Sequence, residues 1–420
     1  MLRESDLILI KGPRVVDPLL GIDRELDVLL DGARIREIGK GLWRAGARVV
    51  EARGKMLFPG LVDLHAHLRD LGESHKETIF TGSRAAALGG FTTVVNMPNT
   101  LPPLDSPEVL LKWKEKVRKD AAVRVFTMVC ISKGRRGEQL SPLEEMSRDP
   151  LVVGATDDGN PVRSEGLMRR ALEISQRTGI LIADHPEDGP GQKPLGSRDF
   201  WSEPLYVERD LMLLRETGGR LHLQHISMEE SLKLIRQAKE KGLGVTCETT
   251  PHHLILFDGQ GLGPNAKVNP PLRNRRDVEA LREALKEGII DAIATDHAPH
   301  SPEEKARGWE EAPFGISGIE VALPLVYAEL VTRDLLRLEE MVKLMSQSPA
   351  RIMGIDPPRI QEGARADFVI FDPEIQWVLK PQSLFSKGKN TPFSGKCLTG
   401  KVWATFVEGR AIVLEGYLTS

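Results

Sequence analysis

The chain has 420 residues, 40% of them apolar, and a formal net charge of −3. That length exceeds one ordinary domain and the apolar share suffices for a sizeable core, while the charge balance gives no global basic field for nucleic acid or an anionic membrane. The cysteines Cys130, Cys247 and Cys397 are odd in number and far apart, which fits reduced thiols in a cytoplasmic protein and not a disulfide framework. No run approaches the roughly 18 apolar residues of a membrane span, and Met1 to Asp6 carries no signal-peptide region.

Residues 6–52 hold short strand-like runs, Leu7 to Ile10, Leu26 to Leu30 and Val49-Val50, broken by turn signals such as Asp31-Gly32. Between residues 56 and 360 the pattern becomes strand, then helix, repeatedly. Eight apolar strand candidates fall at 57–65, 92–97, 123–130, 151–157, 180–185, 220–225, 243–248 and 289–296. Helix-period segments separate most of them, among them Ser106 to Lys119, Ser164 to Thr178, Met228 to Lys241 and Asp277 to Glu287. Residues 363–416 return to short strands and turns, with Asp367 to Phe371, Trp403 to Val407, Glu408-Gly409 and Ala411 to Leu414. The pattern predicts an α/β fold: a metal-dependent (β/α)8 TIM-like barrel over 56–360. Residues 1–55 and 361–420 together are expected to form one small β-sandwich domain built from both chain termini.

In such a barrel, chemistry sits at the carboxyl ends of the strands. Strand one ends in Asp63-Leu64-His65-Ala66-His67-Leu68-Arg69. Alternation along a strand points residues 65 and 67 the same way, a ready clamp for a divalent metal. A single buried histidine is more often a hydrogen-bonded core residue; two at this spacing favour the metal. Arg69 follows where the strand gives way to loop, and a guanidinium there suits a substrate carboxylate. Strand four ends in Asp157-Asp158-Gly159, strand five at His185, strand six at His225 and strand eight at Asp296.

Opposite parity separates His222 from His225, Asp157 from Asp158, Asp184 from His185 and Asp296 from His297. We take Asp157, His185, His225 and Asp296 as the inward members, and His222 as packed or on the surface. His297 is either a partner behind the ligands or a loop cap, His75 is a solvated loop residue, and His252-His253 either line the mouth or bond their own loop. Four histidines and two aspartates then make a site for two metals, with mixed N and O ligands suiting zinc. Asp157 is the available bridging carboxylate. Asp296 can both ligate and shuttle a proton to a leaving nitrogen.

On these residues the chain resembles the type I dihydroorotases of the amidohydrolase superfamily over nearly its whole length. The resemblance rests on Asp63 to Asp70, Gly89 to Thr100, Asp157-Asp158-Gly159, His185 to Asp188, His225-Ile226-Ser227, Thr250 to Leu254, Asn269-Pro270-Pro271-Leu272-Arg273, Ala294 to His300 and Ala312 to Gly315. It implies a cytoplasmic enzyme that interconverts N-carbamoyl-L-aspartate and L-dihydroorotate in pyrimidine synthesis. It also implies two Zn2+ per subunit on His65, His67, Asp157, His185, His225 and Asp296, with Asp157 bridging and Asp296 the catalytic acid and base. Arg69, Asn99 and His300 then hold the substrate carboxylate, and Asn269 with the backbone of Pro313, Phe314 and Gly315 meets the ring. Its partners would be the small-molecule substrate, a second copy in a homodimer and, in some relatives, aspartate transcarbamoylase.

Two rival readings come from the same superfamily. Hydantoinases, dihydropyrimidinases and allantoinases usually bridge their metals with a carboxylated lysine near strand four, and Leu151 to Gly159 contains no lysine. Scaffold-only partners of aspartate transcarbamoylase typically lose ligands that this chain keeps. The sequence departs from its relatives at Pro186, which removes a backbone donor beside His185, and in a shorter segment from Pro190 to Glu208.

Overall fold

The computed structural model describes residues 7–188 and 202–419. Most of the short segment from Pro190 to Glu208 therefore lies outside the described residues.

Eight strands form one parallel sheet in sequence order. They are Leu61–Ala66, Phe91–Asn96, Arg124–Val129, Val152–Ala155, Leu181–Asp184, Leu221–Leu223, Val245–Thr249 and Ala292–Ile293. All eight correspond to expected strands, and neighbours pair in parallel throughout. The last strand closes on the first. Thr295 N–H donates to Asp63 Oδ1 at 3.0 Å, and His67 N–H donates to the His297 carbonyl at 2.8 Å. The result is a nearly closed barrel whose carboxyl ends face one way, as right-handed strand-helix-strand connections require.

The helices begin where the sequence supplies caps. Ser106 accepts from Val109 N–H ahead of Pro107–Asp120, and Ser164 accepts from Leu167 N–H ahead of Glu165–Thr178. Asn274 does the same for Arg275–Lys286 through Arg276 and Asp277. Their apolar faces lie on the strands: Ala85, Trp113 and Leu172 share one buried cluster with Phe91, Val125, Ala155 and Ile182. Each fully buried leucine, isoleucine, valine or phenylalanine among them contributes about 1.5–3 kcal/mol of burial.

The run expected as a single strand over 57–65 divides at Gly60. Met56–Pro59 pairs with Phe368–Val378 and Arg14–Asp17 outside the barrel, whereas Leu61–Ala66 enters it. Packing sets the break, because a side chain at 60 would meet Thr92 Oγ1 at 2.1 Å. Both chain ends build the small β unit. A four-stranded sheet from residues 7–51 faces a seven-stranded sheet that joins Arg14–Asp17, Ile22–Glu25 and Met56–Pro59 to strands from the C-terminal part. Ile10, Val28, Leu57, Phe368, Ile370 and Phe406 form its shared core. The expected Glu408-Gly409 turn closes Val407 onto Arg410, with both turn residues at positive φ. The other expected turn, Asp31-Gly32, differs by one position: Asp31 pairs with Arg34, so the two-residue loop is Gly32-Ala33.

Candidate active site

The strand ends surround a cavity of about 280 Å3. His67, Arg69, Asn99, His185, His225, Asn269, Asp296, His300, Pro313, Phe314 and Gly315 all line it. His65 lies beneath, fully buried.

Asp157 does not join them, which corrects the sequence expectation. Its Oδ1 accepts Ser132 N–H at 3.0 Å, and its Oδ2 accepts the Ser132 hydroxyl. The acid facing the histidines is Asp158. Its Oδ1 lies 3.3 Å from His65 Nε2, 3.5 Å from His185 Nδ1 and 3.7 Å from His225 Nε2, and its Oδ2 lies 3.5 Å from His67 Nε2. The physical reason is that strand four ends at Ala155, so period-two alternation no longer governs residues 157 and 158. The two donors of Ser132 capture the first acid, and the second turns toward the axis.

Asp296 stands opposite, with Oδ1 3.1 Å from His67 Nε2 and 3.5 Å from His65 Nε2. Two groups therefore offer ligand atoms within 4.8 Å of one another: His65, Asp158 and His225, and His65, His67 and Asp296. His185 Nδ1 lies 2.8 Å from His225 Nε2 on the first side. Pro186 leaves His185 in the cluster.

The chemistry of this donor set fits divalent ions. Burial raises the Asp158 carboxyl, but His65 and hydrogen bonds from His185 and His225 bring it well below the usual carboxylate range. Asp296 follows the same pattern, with burial opposed by His65 and His67. His65 runs the other way: burial lowers it, and Asp158 and Glu248 carry it above the usual imidazole range. The cluster attracts positive charge, and the buried His65 Nε2 has no hydrogen-bond partner. A metal ion supplies that charge without a proton.

A shell of partners behind the cluster aims it. Glu248 on strand seven binds His65 Nδ1 at 2.6 Å and His222 Nε2 at 3.2 Å. It was absent from the sequence reading, whose only usable signal was a lone acid inside an apolar strand. His222 is thus packed and not on the surface. His297 turns away toward Glu77 at 3.5 Å and accepts Gly318 N–H at Nδ1. His253 bonds its own loop through Thr250 Oγ1 and the Pro270 carbonyl. His75 is a largely exposed loop residue beside Glu304.

At the open side, Arg69 and His300 converge, with Arg69 Nη2 3.4 Å from His300 Nε2. Arg69 Nε and His300 Nδ1 are both buried without a hydrogen-bond partner. The Arg69 guanidinium is the charged donor that suits a carboxylate, and His300 stands beside it. Asn99 Oδ1 meets His67 Nδ1 at 2.9 Å, and Asn269 Nδ2 meets His185 Nε2 at 2.9 Å, which places both amides at the cluster's rim. His300 Nε2 donates to the Phe314 carbonyl at 2.7 Å.

Residues 56–412 match the amidohydrolase family model. The chain is similar to a dihydroorotase from Pelotomaculum thermopropionicum, 43% identical over 97% of this chain and 99% of the relative. It is also similar to a dihydroorotase from Aquifex aeolicus, 39% identical over 96% of this chain and 99% of that one. Among solved structures it resembles the L-hydantoinase (dihydropyrimidinase) of Arthrobacter aurescens, with a TM-score of 0.89 at 27% identity, covering 98% of this chain and 97% of the other.

Proposed function

The chain belongs to the amidohydrolase family and to its dihydroorotase branch, and on that premise we propose how its own residues divide the work. It is a hydrolase of a cyclic amide, interconverting L-dihydroorotate and N-carbamoyl-L-aspartate. The observation that carries the residue assignment is the convergence of four histidines, Asp158 and Asp296 on one cavity that Arg69 and His300 also face.

Two zinc ions would be held by His65, His67 and Asp296 on one side and by His185 and His225 on the other, with Asp158 reaching both. Bound there, they would polarise the amide carbonyl and make a water acidic enough to attack it near neutral pH. Asp296 is placed to take a proton from the attacking water at Oδ2, because Oδ1 faces His67. It then returns the proton to the ureido nitrogen as the ring carbon–nitrogen bond breaks. Ring closure runs the same path backwards. Arg69, Asn99 and His300 hold the substrate carboxylate, and Asn269 with the Pro313–Gly315 backbone meets the ring.

The carboxylate grip separates this reading from the hydantoinase one, since hydantoin and dihydrouracil lack that charge. The scaffold-only reading has little support, because all four histidines remain together. A homodimer, association with aspartate transcarbamoylase and a cytoplasmic setting belong to the same proposal; among the described residues no helix is long and apolar enough to cross a membrane. The deciding experiment measures dihydroorotate formed from carbamoyl aspartate before and after chelation, alongside elemental analysis. Activity should vanish with the metal and return with zinc. Full activity in a metal-free preparation would refute the assignment.

A further inference from the structure

The segment from Phe385 to Asn390 belongs to the C-terminal part of the chain, yet it is docked on the barrel. Phe385 N–H and Ser386 N–H donate to the two carboxylate oxygens of Glu320 at 2.9 and 2.8 Å. The Ser386 hydroxyl donates to Glu77. Gly388 presses against the loop after strand eight so closely that a side chain there would meet Pro299 Cβ at 2.5 Å and Ser317 Oγ at 2.6 Å. Asn390 ends this contact. Its side chain is 3% exposed.

That buried amide uses its whole hydrogen-bonding capacity on the substrate side of the barrel. Its Oδ1 accepts His300 N–H at 2.9 Å and the Ser317 hydroxyl at 2.9 Å. Its Nδ2 donates to the Ala298 carbonyl at 3.1 Å and the Gly315 carbonyl at 2.9 Å. Ser317 N–H returns a bond to the Asn390 carbonyl at 2.9 Å. Ala298, His300 and Gly315 all line the cavity, whereas Asn390 does not. Gly315 cannot hold this place by a side chain of its own. Its φ is +137°, and a Cβ would meet the Ala298 carbonyl oxygen at 2.5 Å.

We propose that Asn390 is a positioning residue for substrate binding: one amide sets the spacing between His300, which faces the carboxylate, and the Gly315 backbone, which faces the ring. The inference rests on the substrate reading above. Because both contacts are made by the bound substrate and persist through the reaction, loosening them weakens binding throughout and raises KM more than it lowers kcat. Asn390 lies beyond the cation cluster, so metal content is independent of it.

The test uses the full-length, metal-loaded protein and steady-state hydrolysis of dihydroorotate. Asn390→Asp keeps the size and both acceptor positions but removes both N–H donors and sets a carboxylate against two carbonyls. KM is expected to rise about tenfold or more, with kcat within about threefold of wild type and metal content unchanged. Binding of orotate, measured by calorimetry, should weaken in parallel. His300→Ala is the reference: it should raise KM by itself, and the effect of Asn390→Asp should shrink in that background, since residues acting through one another are not additive. An unchanged KM in Asn390→Asp, or a fall in kcat and metal content at constant KM, overturns the proposal. If Asn390→Asp does not fold, Ser317→Ala decides, because it removes one donor to the same oxygen; KM should rise about two- to threefold, and no rise overturns the proposal. A His300→Ala enzyme with wild-type KM removes the carboxylate subsite itself and this inference with it.

Discussion

The two ends of the cavity are fixed by different means. At the closed end, His65, His67, His185, His225 and Asp296 sit on or just past barrel strands, and strand residues hold the deepest of them. Glu248 on strand seven holds His65, and Asp63 on strand one receives Thr295 N–H. At the open end, His300 and Pro313–Gly315 sit on a long loop, held from behind by Asn390 and by the Lys305 ammonium, which donates to the Pro313 carbonyl at 2.8 Å and the Gly315 carbonyl at 3.1 Å. The chemistry is thus built into the sheet, where backbone pairing gives it rigidity. Substrate choice is placed on a loop, where it can change without moving the reacting centre.

The largest expected effect tests the closed end. Asp158→Asn should lower bound metal and reduce turnover by roughly 10²-fold or more, whereas Asp157→Asn should keep its metal and most of its activity. Elemental analysis and kcat on the two variants decide it, and the reverse ranking would restore Asp157 as the ligand.

Arg69→Met sharpens the contrast from the open end. It should cost about 2–4 kcal/mol in kcat/KM for dihydroorotate, the scale of a buried charge pair losing one partner, and leave any residual hydrolysis of dihydrouracil nearly unchanged. Equal losses on both substrates would end the carboxylate role of Arg69. Glu248→Gln returns to the closed end with a smaller effect, because it touches the ligands only from behind. Metal affinity should fall about 10- to 100-fold, read by competition with a chelating dye, with KM at saturating metal close to wild type.

The smallest effect concerns Lys305. Burial, and then the charge of Lys267, bring its ammonium down to about 8 from the usual lysine value of 10.5. In the folded protein it therefore loses its proton near pH 8, and in the unfolded chain near 10.5. Between those values the unfolded state binds more protons, so this group makes stability rise with pH, and below pH 8 its buried charge costs stability. Lys305→Met should lack that rise, a difference on the order of 1 kcal/mol between pH 8 and 10 in denaturant midpoints. Parallel pH profiles for the two proteins would show that Lys305 titrates normally.

Periodicity and punctuation made much of this molecule legible in the sequence. Strand-helix alternation exposed all eight barrel strands, because each buried strand needs an apolar run and each helix a cap such as Ser106 or Ser164. His65 and His67 could be read as a pair because local strand geometry alone aims them. His185, His225 and Asp296 were legible for a related reason, since each stands next to the end of an apolar run. The Asp157-Asp158 pair lay beyond that reach. Strand four stops at Ala155, and the choice between the two acids belongs to Ser132 on another strand's loop. Glu248 needed His65 from far along the chain before it could mean anything, and Asn390 needed His300 and Gly315. By itself the sequence determined which residues end the strands and so what chemistry is present. Only the tertiary structure decided which carboxylate faces the metals and what holds the substrate loop, because hydrogen bonds between distant segments, with no periodic trace, make those choices.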